Sequence, residues 1–410
     1  MGMNIGRYQG AGSRTLIVLS GLAIALVGSG CANKSSDTST PSGSATGTPI
    51  NIGEYGSMTG STATFGVDTD DGVKLAVAQI NGAGGIFGHP LKIDLRDDEG
   101  KPDEALNVVK LMVSQDKVTA VLGEVASTRS IQAAPACNSA QVPMISPSST
   151  NPAVTQVGPY IFRACFIDPF QGTAAAKFAY NNLKARKAAI MTEATSDYST
   201  GLTKFFTDGF TKLGGTIVNT ETYSQGDIDF SAQLTTIKAE NPDILYVPGY
   251  YGDIGPIAVQ ARKVGLTCPL LGGDGWDSPK LVEGAGGPGG ALEGSYFTNH
   301  YSPTNPAPLT QAFVANYKKT YNTTPDSLAA MGYDATGVLA DAMKCVGNPA
   351  DGDFDSADYR KKLRDAIAAT SGFQGVTGKI TMGPDRNPVK PAVVLQIKGT
   401  DYNYAATINP

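Results

Sequence analysis

From residue 50 onward the chain alternates short apolar runs with stretches of helical periodicity, and that alternation leaves few folds open. Residues 50–55 read as a strand. Val73, Ala76, Val77 and Ile80 then recur at helical spacing behind Asp68, Asp70 and Asp71, acids that suit a helix N-terminus. Leu91, Ile93 and Leu95 alternate as a strand before Asp97 and Asp98, and Pro102 opens a helix with Leu106, Val109 and Val113 on one face. A strand at 118–122, a helix at 130–140 and a strand at 142–146 complete the series. A second series repeats the pattern, with strands at 188–192, 216–218, 244–247 and 270–271 between helices at 200–213, 230–237 and 254–264. Helices follow at 309–321, 328–345 and 359–369, and the apolar Val393, Val394, Leu395 and Ile397 come last. Strands alternating with helices of this length imply an α/β fold of two doubly wound lobes, each a parallel sheet with helices on both faces. A length of 410 residues fits two domains.

The first 48 residues do not fit that pattern. Arg7 and Arg14 precede an apolar run at 16–27 and the small residues Gly28, Ser29 and Gly30, which describes an export signal over 1–30. The run is too short for a permanent membrane helix. Cys31 at the cut suits lipid attachment, and the Ser/Thr/Gly/Pro-rich stretch 31–48 reads as a flexible tether. An ordinary secretory signal with an incidental cysteine is the plainer reading, since Gly28 stands where lipoprotein signals usually carry Leu. Either way the rest of the chain is expected outside the cytoplasm, in the periplasm or at the outer face of the membrane, touching lipid only through the anchor.

Composition removes several function classes. The net charge is −5, more acidic once Arg7 and Arg14 leave, and no Lys/Arg stripe suggests nucleic acid. Only His89 and His300 are present, too little material for a histidine metal site or a catalytic triad, and no cofactor is expected. Beyond Cys31 stand Cys137, Cys165, Cys268 and Cys345, an even set without CxxC that favours disulfides in an exported chain; four buried thiols are the alternative. The helix carrying Cys137 leads into the strand before Cys165, so we expect Cys137–Cys165, and with it Cys268–Cys345.

Ligands of open parallel sheets bind beyond the carboxyl ends of the strands. The loops there carry the hydroxyls of Ser127, Thr128, Ser148, Ser149 and Thr150, the tyrosines Tyr198, Tyr250 and Tyr251, the carboxylate of Asp274, and the aromatic faces of Phe65 and Trp276. Hydroxyls and helix N-termini suit a carboxylate, an acid suits an ammonium, and apolar faces take a side chain, so the set fits a small zwitterion. Singly, each residue has a structural reading: Thr128 and Ser149 as N-caps, Asp274 as a turn residue, Tyr250 and Tyr251 as packing.

The stretches Gly53–Gly60, Ile80–Ile86, Val142–Pro152 and Phe162–Arg163 with Asp168–Gly172 resemble the periplasmic leucine/isoleucine/valine-binding proteins, substrate-binding components of ABC transporters with the type I periplasmic fold. The resemblance runs over nearly all of 49–410. It implies three hinge crossings near 164–168, 296–299 and 381–385, giving one lobe from 49–165 with 299–380 and another from 166–298 with 381–410. It implies that Ser127 and Thr150 hold the ligand carboxylate, that the Ser148 carbonyl and Asp274 meet the ammonium, that Tyr198 and Tyr250 close from the far lobe, and that Phe65 and Val125 line the side-chain pocket. The expected function is capture of an amino acid, branched-chain or otherwise aliphatic, by a monomer that hands it to a membrane permease. A ligand sensor of the same fold, or one binding an amide, urea or aromatic acid, is the alternative. An enzyme is not expected, because G-x-S-x-G, P-loop and H-E-x-x-H motifs are missing and the glycine-rich stretch Gly286–Gly290 follows no strand and precedes no helix with phosphate-loop spacing, so it reads as a flexible loop.

Overall fold

The computed structural model describes residues 45–410, so the expected leader, the lipidation site Cys31 and most of the tether lie outside the described residues. The first series runs β1 (Ile50–Gly56), α1 (Ala63–Gly82), β2 (Leu91–Asp97), α2 (Pro102–Ser114), β3 (Ala120–Leu122), α3 (Ser127–Ser139), β4 (Met144–Ser146), α4 (Ala153–Gln156) and β5 (Ile161–Arg163). The second runs α5 (Asp168–Asn181), β6 (Lys187–Glu193), α6 (Asp197–Lys212), β7 (Thr216–Tyr223), α7 (Ser231–Ala239), β8 (Ile244–Tyr246), α8 (Tyr251–Lys263), β9 (Leu270–Gly272), α9 (Lys280–Gly284) and β10 (Tyr296–Asn299). Then come α10 (Pro308–Tyr321), α11 (Ser327–Val346), α12 (Ala357–Ala368), the hairpin β11 (Phe373–Gly375) and β12 (Gly378–Ile380), and β13 (Ala392–Lys398) with β14 (Asp401–Ile408).

Two main sheets result. The first is parallel throughout, in the order β2-β1-β3-β4-β5. The second has the order β14-β13-β10-β9-β8-β6-β7, parallel from β10 to β7, with the C-terminal hairpin added antiparallel at its edge. The sequence reading saw the last apolar run but not this antiparallel edge. Chain order reverses between β1 and β3 in one sheet and between β6 and β8 in the other. Those are the switch points where the loops on either side diverge and leave a crevice.

Helix α1 begins at Ala63, a turn earlier than the acids Asp68, Asp70 and Asp71 suggested. Those acids therefore ride inside the helix, where Asp70 is buried and pairs with Lys74 at 2.5 Å. The longer helix packs directly on α11. A Cβ at Gly72 would stand 1.9 Å from the Ala329 carbonyl oxygen, and one at Gly332 would stand 2.5 Å from the Thr69 carbonyl oxygen, so glycine on each side lets the backbones touch.

Neither expected disulfide forms, because Cys137, Cys165 and Cys268 are free thiols. The alternation of side chains across a strand explains the first correction. Met144 and Ile161 face the cluster that contains Cys137, whereas Ile145 and Phe162 face the opposite cluster with Cys165, so the sheet separates the two sulfurs. In the second expected pair, Cys268 leads into β9 of the second sheet, and Cys345 lies in the last turn of α11, which packs against the first. Burial pushes the thiols of Cys137 and Cys165 up to about 12, so both stay protonated and unreactive in the folded chain.

Two outcomes follow from this packing. Denatured without reductant, the chain should yield the thiols of Cys137, Cys165 and Cys268 to a thiol-specific chromogenic reagent, and no peptide linking Cys137 to Cys165 should appear in a non-reducing digest. Gly72→Ala should lower stability by about 1–3 kcal/mol, read as a lower urea midpoint with an unchanged slope.

Candidate functional site

The chain passes between the sheets three times, after β5, after β10 and before β13, so the strand ends of the two sheets face each other. The residues singled out from sequence sit on both sides. Phe65 lies in the first turn of α1, fully buried, with its ring edge-on to Tyr250 at 5.5 Å and to Tyr251 at 5.1 Å. Ser127 opens α3, and its Oγ accepts the Asn151 N–H at 3.2 Å. Tyr198 stands in the first turn of α6 and stacks on Tyr250 with centroids 5.1 Å apart. Ser127, Phe65 and Tyr198 thus fall in first helical turns, where main-chain N–H groups lack intrahelical partners.

Asp274 is a hub. Its Oδ1 accepts from the Tyr198 hydroxyl at 2.8 Å and from Gln171 Nε2 at 2.6 Å, while Oδ2 lies 2.8 Å from His300 Nε2. Gln171 comes from α5 and His300 from just beyond β10, so three distant segments hold one carboxylate. Sequence reasoning gave His300 no role, and it placed Gln171 only within the Asp168–Gly172 stretch that carries the resemblance, without a role of its own. The turn reading of Asp274 captures only its backbone, which opens a short 3-10 turn.

Several neighbouring polar groups, all buried, find no partner among the described residues. They are the hydroxyls of Ser148, Thr150 and Tyr250, both carboxylate oxygens of Asp168, and Oε1 of Gln171. Thr150 lies beside Asp168 without a hydrogen bond of ordinary geometry between their side chains. Burial pushes the Asp168 carboxyl well above the usual range, with the nearby Asp274 charge adding to it. Buried polar groups are nearly always bonded, so a cluster of orphans marks a place where something else bonds.

An apolar patch adjoins this cluster. Phe65, Val125 and Leu328 from the first lobe pack in one cluster with Tyr251 and Trp276 from the second. Leu328 read from sequence only as a helix residue, because it reaches the site from α11, more than two hundred residues beyond Val125.

Behind the first-lobe loops lies a buried ionic group. Arg129 Nη1 donates to Glu124 Oε1 at 2.8 Å and to Ser57 Oγ, and Nη2 donates to Thr62 Oγ1 at 2.9 Å. Asp98 accepts from the Ser57 hydroxyl at 3.1 Å and from the Gly100 N–H at 2.8 Å. This group ties together the loops after β1, β2 and β3. Burial, then the Glu124 charge, pushes Asp98 up to about 7.

The lobes also touch at the rim. The Thr64 N–H donates to the Tyr251 hydroxyl at 3.2 Å, and Thr64 Oγ1 lies 2.9 Å from Ser278 Oγ. Asn151 Nδ2 donates to the Asp197 carbonyl at 2.7 Å, and the Asp197 N–H donates to Thr128 Oγ1 at 3.0 Å. Thr128 therefore reaches across the cleft instead of capping α3. Ser149 does not cap a helix either: its hydroxyl donates to the carbonyls of Glu124 at 2.8 Å and Val125 at 3.0 Å.

A family model described as "Periplasmic binding protein" matches residues 49–402. A leucine-binding protein from Thermotoga maritima superposes with a TM-score of 0.82 at 39% identity, covering 88% of this chain and 99% of that one. A branched-chain amino acid transporter substrate-binding protein from Streptococcus pneumoniae, solved with isoleucine, gives a TM-score of 0.81 at 34% identity, covering 88% of this chain and 100% of the other. An "Amino acid binding protein" from Pseudomonas aeruginosa is 37% identical over 238 residues, which is 58% of this chain and 63% of that protein's length.

The buried acids give the molecule a pH signature. Besides Asp98, burial pushes Asp68 and Asp253 up to about 6. Each holds its proton when folded at pH values where the unfolded chain has released it. The folded form thus binds more protons between about pH 4 and pH 7, and stability falls as pH rises through that window. Melting temperature should be higher at about pH 5.5 than at about pH 8, and Asp98→Asn should shrink that difference.

Proposed function

As the chain belongs to the periplasmic binding protein family, we propose that it captures an amino acid with an aliphatic, branched side chain between its lobes and delivers it to an ABC-transporter permease outside the cytoplasm. No bond is made or broken. The observation that carries this reading is the pairing of orphaned buried polar groups with an apolar patch of Phe65, Val125, Trp276 and Leu328. The relatives named for leucine and isoleucine agree with it.

On this reading Ser127 and the amide at Thr150 take the ligand carboxylate, with the Tyr250 hydroxyl closing over it. The ammonium lies against the Ser148 carbonyl, the Thr150 hydroxyl and the acids. Asp274 already has three partners, whereas Asp168 has none at either oxygen, so we assign the ammonium to both carboxylates. An ammonium between them offsets their mutual repulsion and the cost of burying them. An aromatic acid or other carboxylate without an ammonium would leave the buried Asp168 carboxyl without a partner near Asp274.

Residues 49–165 with 299–380, and 166–298 with 381–410, move as two units about the three crossings, and the ligand selects the closed arrangement by touching both. A monomer suffices, because each lobe's contribution comes from the same chain. Export with lipidation at Cys31 would keep this module beside its permease.

A thermal-shift panel of the twenty amino acids, with benzoate, urea and 4-methylpentanoate added, tests the reading. Leucine, isoleucine or valine should raise the melting temperature, and 4-methylpentanoate, which lacks only the ammonium of leucine, should not. A larger shift with benzoate or urea than with any amino acid would overturn it. By calorimetry Asp274→Ala should cost roughly 2–5 kcal/mol, or about 30- to 4,000-fold in affinity, because a desolvated ammonium loses one of its two carboxylates. Asp168→Asn should weaken binding in the same direction, and Ser127→Ala should cost less than Asp274→Ala because main-chain N–H groups remain.

A further inference from the structure

Residues 148–151 form no helix or strand, yet they supply three of the groups assigned to the ligand. Their main chain is fixed from one side. The Ser149 carbonyl accepts from Arg163 Nη1 and from the Cys165 thiol at 3.4 Å. The Thr150 carbonyl accepts from the Asp168 N–H at 3.0 Å, and the Asn151 carbonyl accepts from Arg163 Nη2 at 2.7 Å. Three successive carbonyls are therefore turned toward residues 163–168, the first crossing between the lobes.

Arg163 does most of this. It ends β5, is fully buried, and its guanidinium spends its hydrogen bonds on the two carbonyls that flank Thr150. Among the described residues no carboxylate forms an ion pair with it, and burial lowers its basicity. A buried cation is costly to keep, so its presence calls for a task that only a planar fork performs. Lys presents a point charge and cannot span two carbonyls in the same plane.

We propose that Arg163 is the positioning residue of the ligand loop: by gripping the carbonyls of Ser149 and Asn151 it sets Thr150 toward the ligand and ties occupancy of that loop to the first crossing. This rests on the amino-acid reading above. The Thr150–Asp168 bond extends the same linkage, because Asp168 offers its amide to the loop and its free carboxylate to the ammonium.

Calorimetry with L-leucine tests it. Arg163→Lys should weaken binding about 10- to 100-fold, since charge-assisted hydrogen bonds at two carbonyls are disturbed. A general loss of stability could do the same, so two double-substitution cycles separate the roles. The losses from Arg163→Lys and Thr150→Ala should overlap, giving a combined loss well below their product, whereas those from Arg163→Lys and Tyr250→Phe, on the other lobe, should multiply. Leucine binding by Arg163→Lys within about threefold of the parent, or multiplying losses with Thr150→Ala, overturns the proposal. If Arg163→Lys does not fold, hydrogen exchange on the parent protein decides: leucine should slow exchange of the Asp168 amide, and unchanged exchange there overturns the coupling. A parent protein that binds no amino acid overturns the functional reading itself, an outcome distinct from a parent that binds and a variant that binds equally.

Discussion

Around Ser148, Thr150, Asp168 and Tyr250 the facing lobes shut polar side-chain atoms away from water without giving them partners among the described residues. That desolvation cost is the constraint around which the rest of the molecule is arranged. Each unpaired group costs on the order of 1–3 kcal/mol when buried, so a closed cleft with no ligand in it is penalised several times over. A ligand that satisfies all of them removes the penalty, and one that satisfies half does not. On the proposed reading, selectivity for a zwitterion arises from what the protein leaves unbonded, as much as from any contact it makes.

Rigidity around those groups serves the same end. The Arg129–Glu124–Ser57–Thr62–Asp98 group braces the loops after three strands of the first sheet. Tyr198, Gln171 and His300 brace Asp274 in the second. Orphaned groups on mobile loops would turn to find water or each other, so the bracing is what keeps them unsatisfied.

Much of this was legible in the chain. Alternation of strand and helix gave the two wound sheets; the rule that ligands sit beyond strand ends pointed to Phe65, Ser127, Ser148, Thr150, Tyr198, Tyr250 and Asp274, the family resemblance added Val125, and the fold brings these residues to facing ends of the two sheets. What stayed hidden had one physical cause, long sequence separation. Leu328 and His300 reach the site from segments whose local pattern reports only packing. Asp168 stood out only within the stretch that carries the family resemblance and at the edge of the first crossing, and the fold puts it in the first turn of α5. The disulfide expectation failed for a related reason: nearness along the chain says nothing about which face of a sheet a side chain occupies, and Cys137 and Cys165 lie on opposite ones. The starts of α1, α3 and α6 were placed too late because their first turns carry Phe65, Ser127 and Tyr198, residues chosen for the cleft instead of for helix initiation.

The rim contacts have a different character from the pocket. Thr64 with Tyr251 and Ser278, and Asp197 with Asn151 and Thr128, join the lobes through atoms of the protein alone. Whatever free energy they add is the same for every ligand, so it cancels when two ligands are compared. They act as a gain control: strengthening them raises all affinities together, and weakening them lowers all together, while the ranking among ligands stays with the pocket. Evolution, or an engineer building a sensor, can therefore move the concentration at which this protein responds by editing its rim, without changing what it responds to.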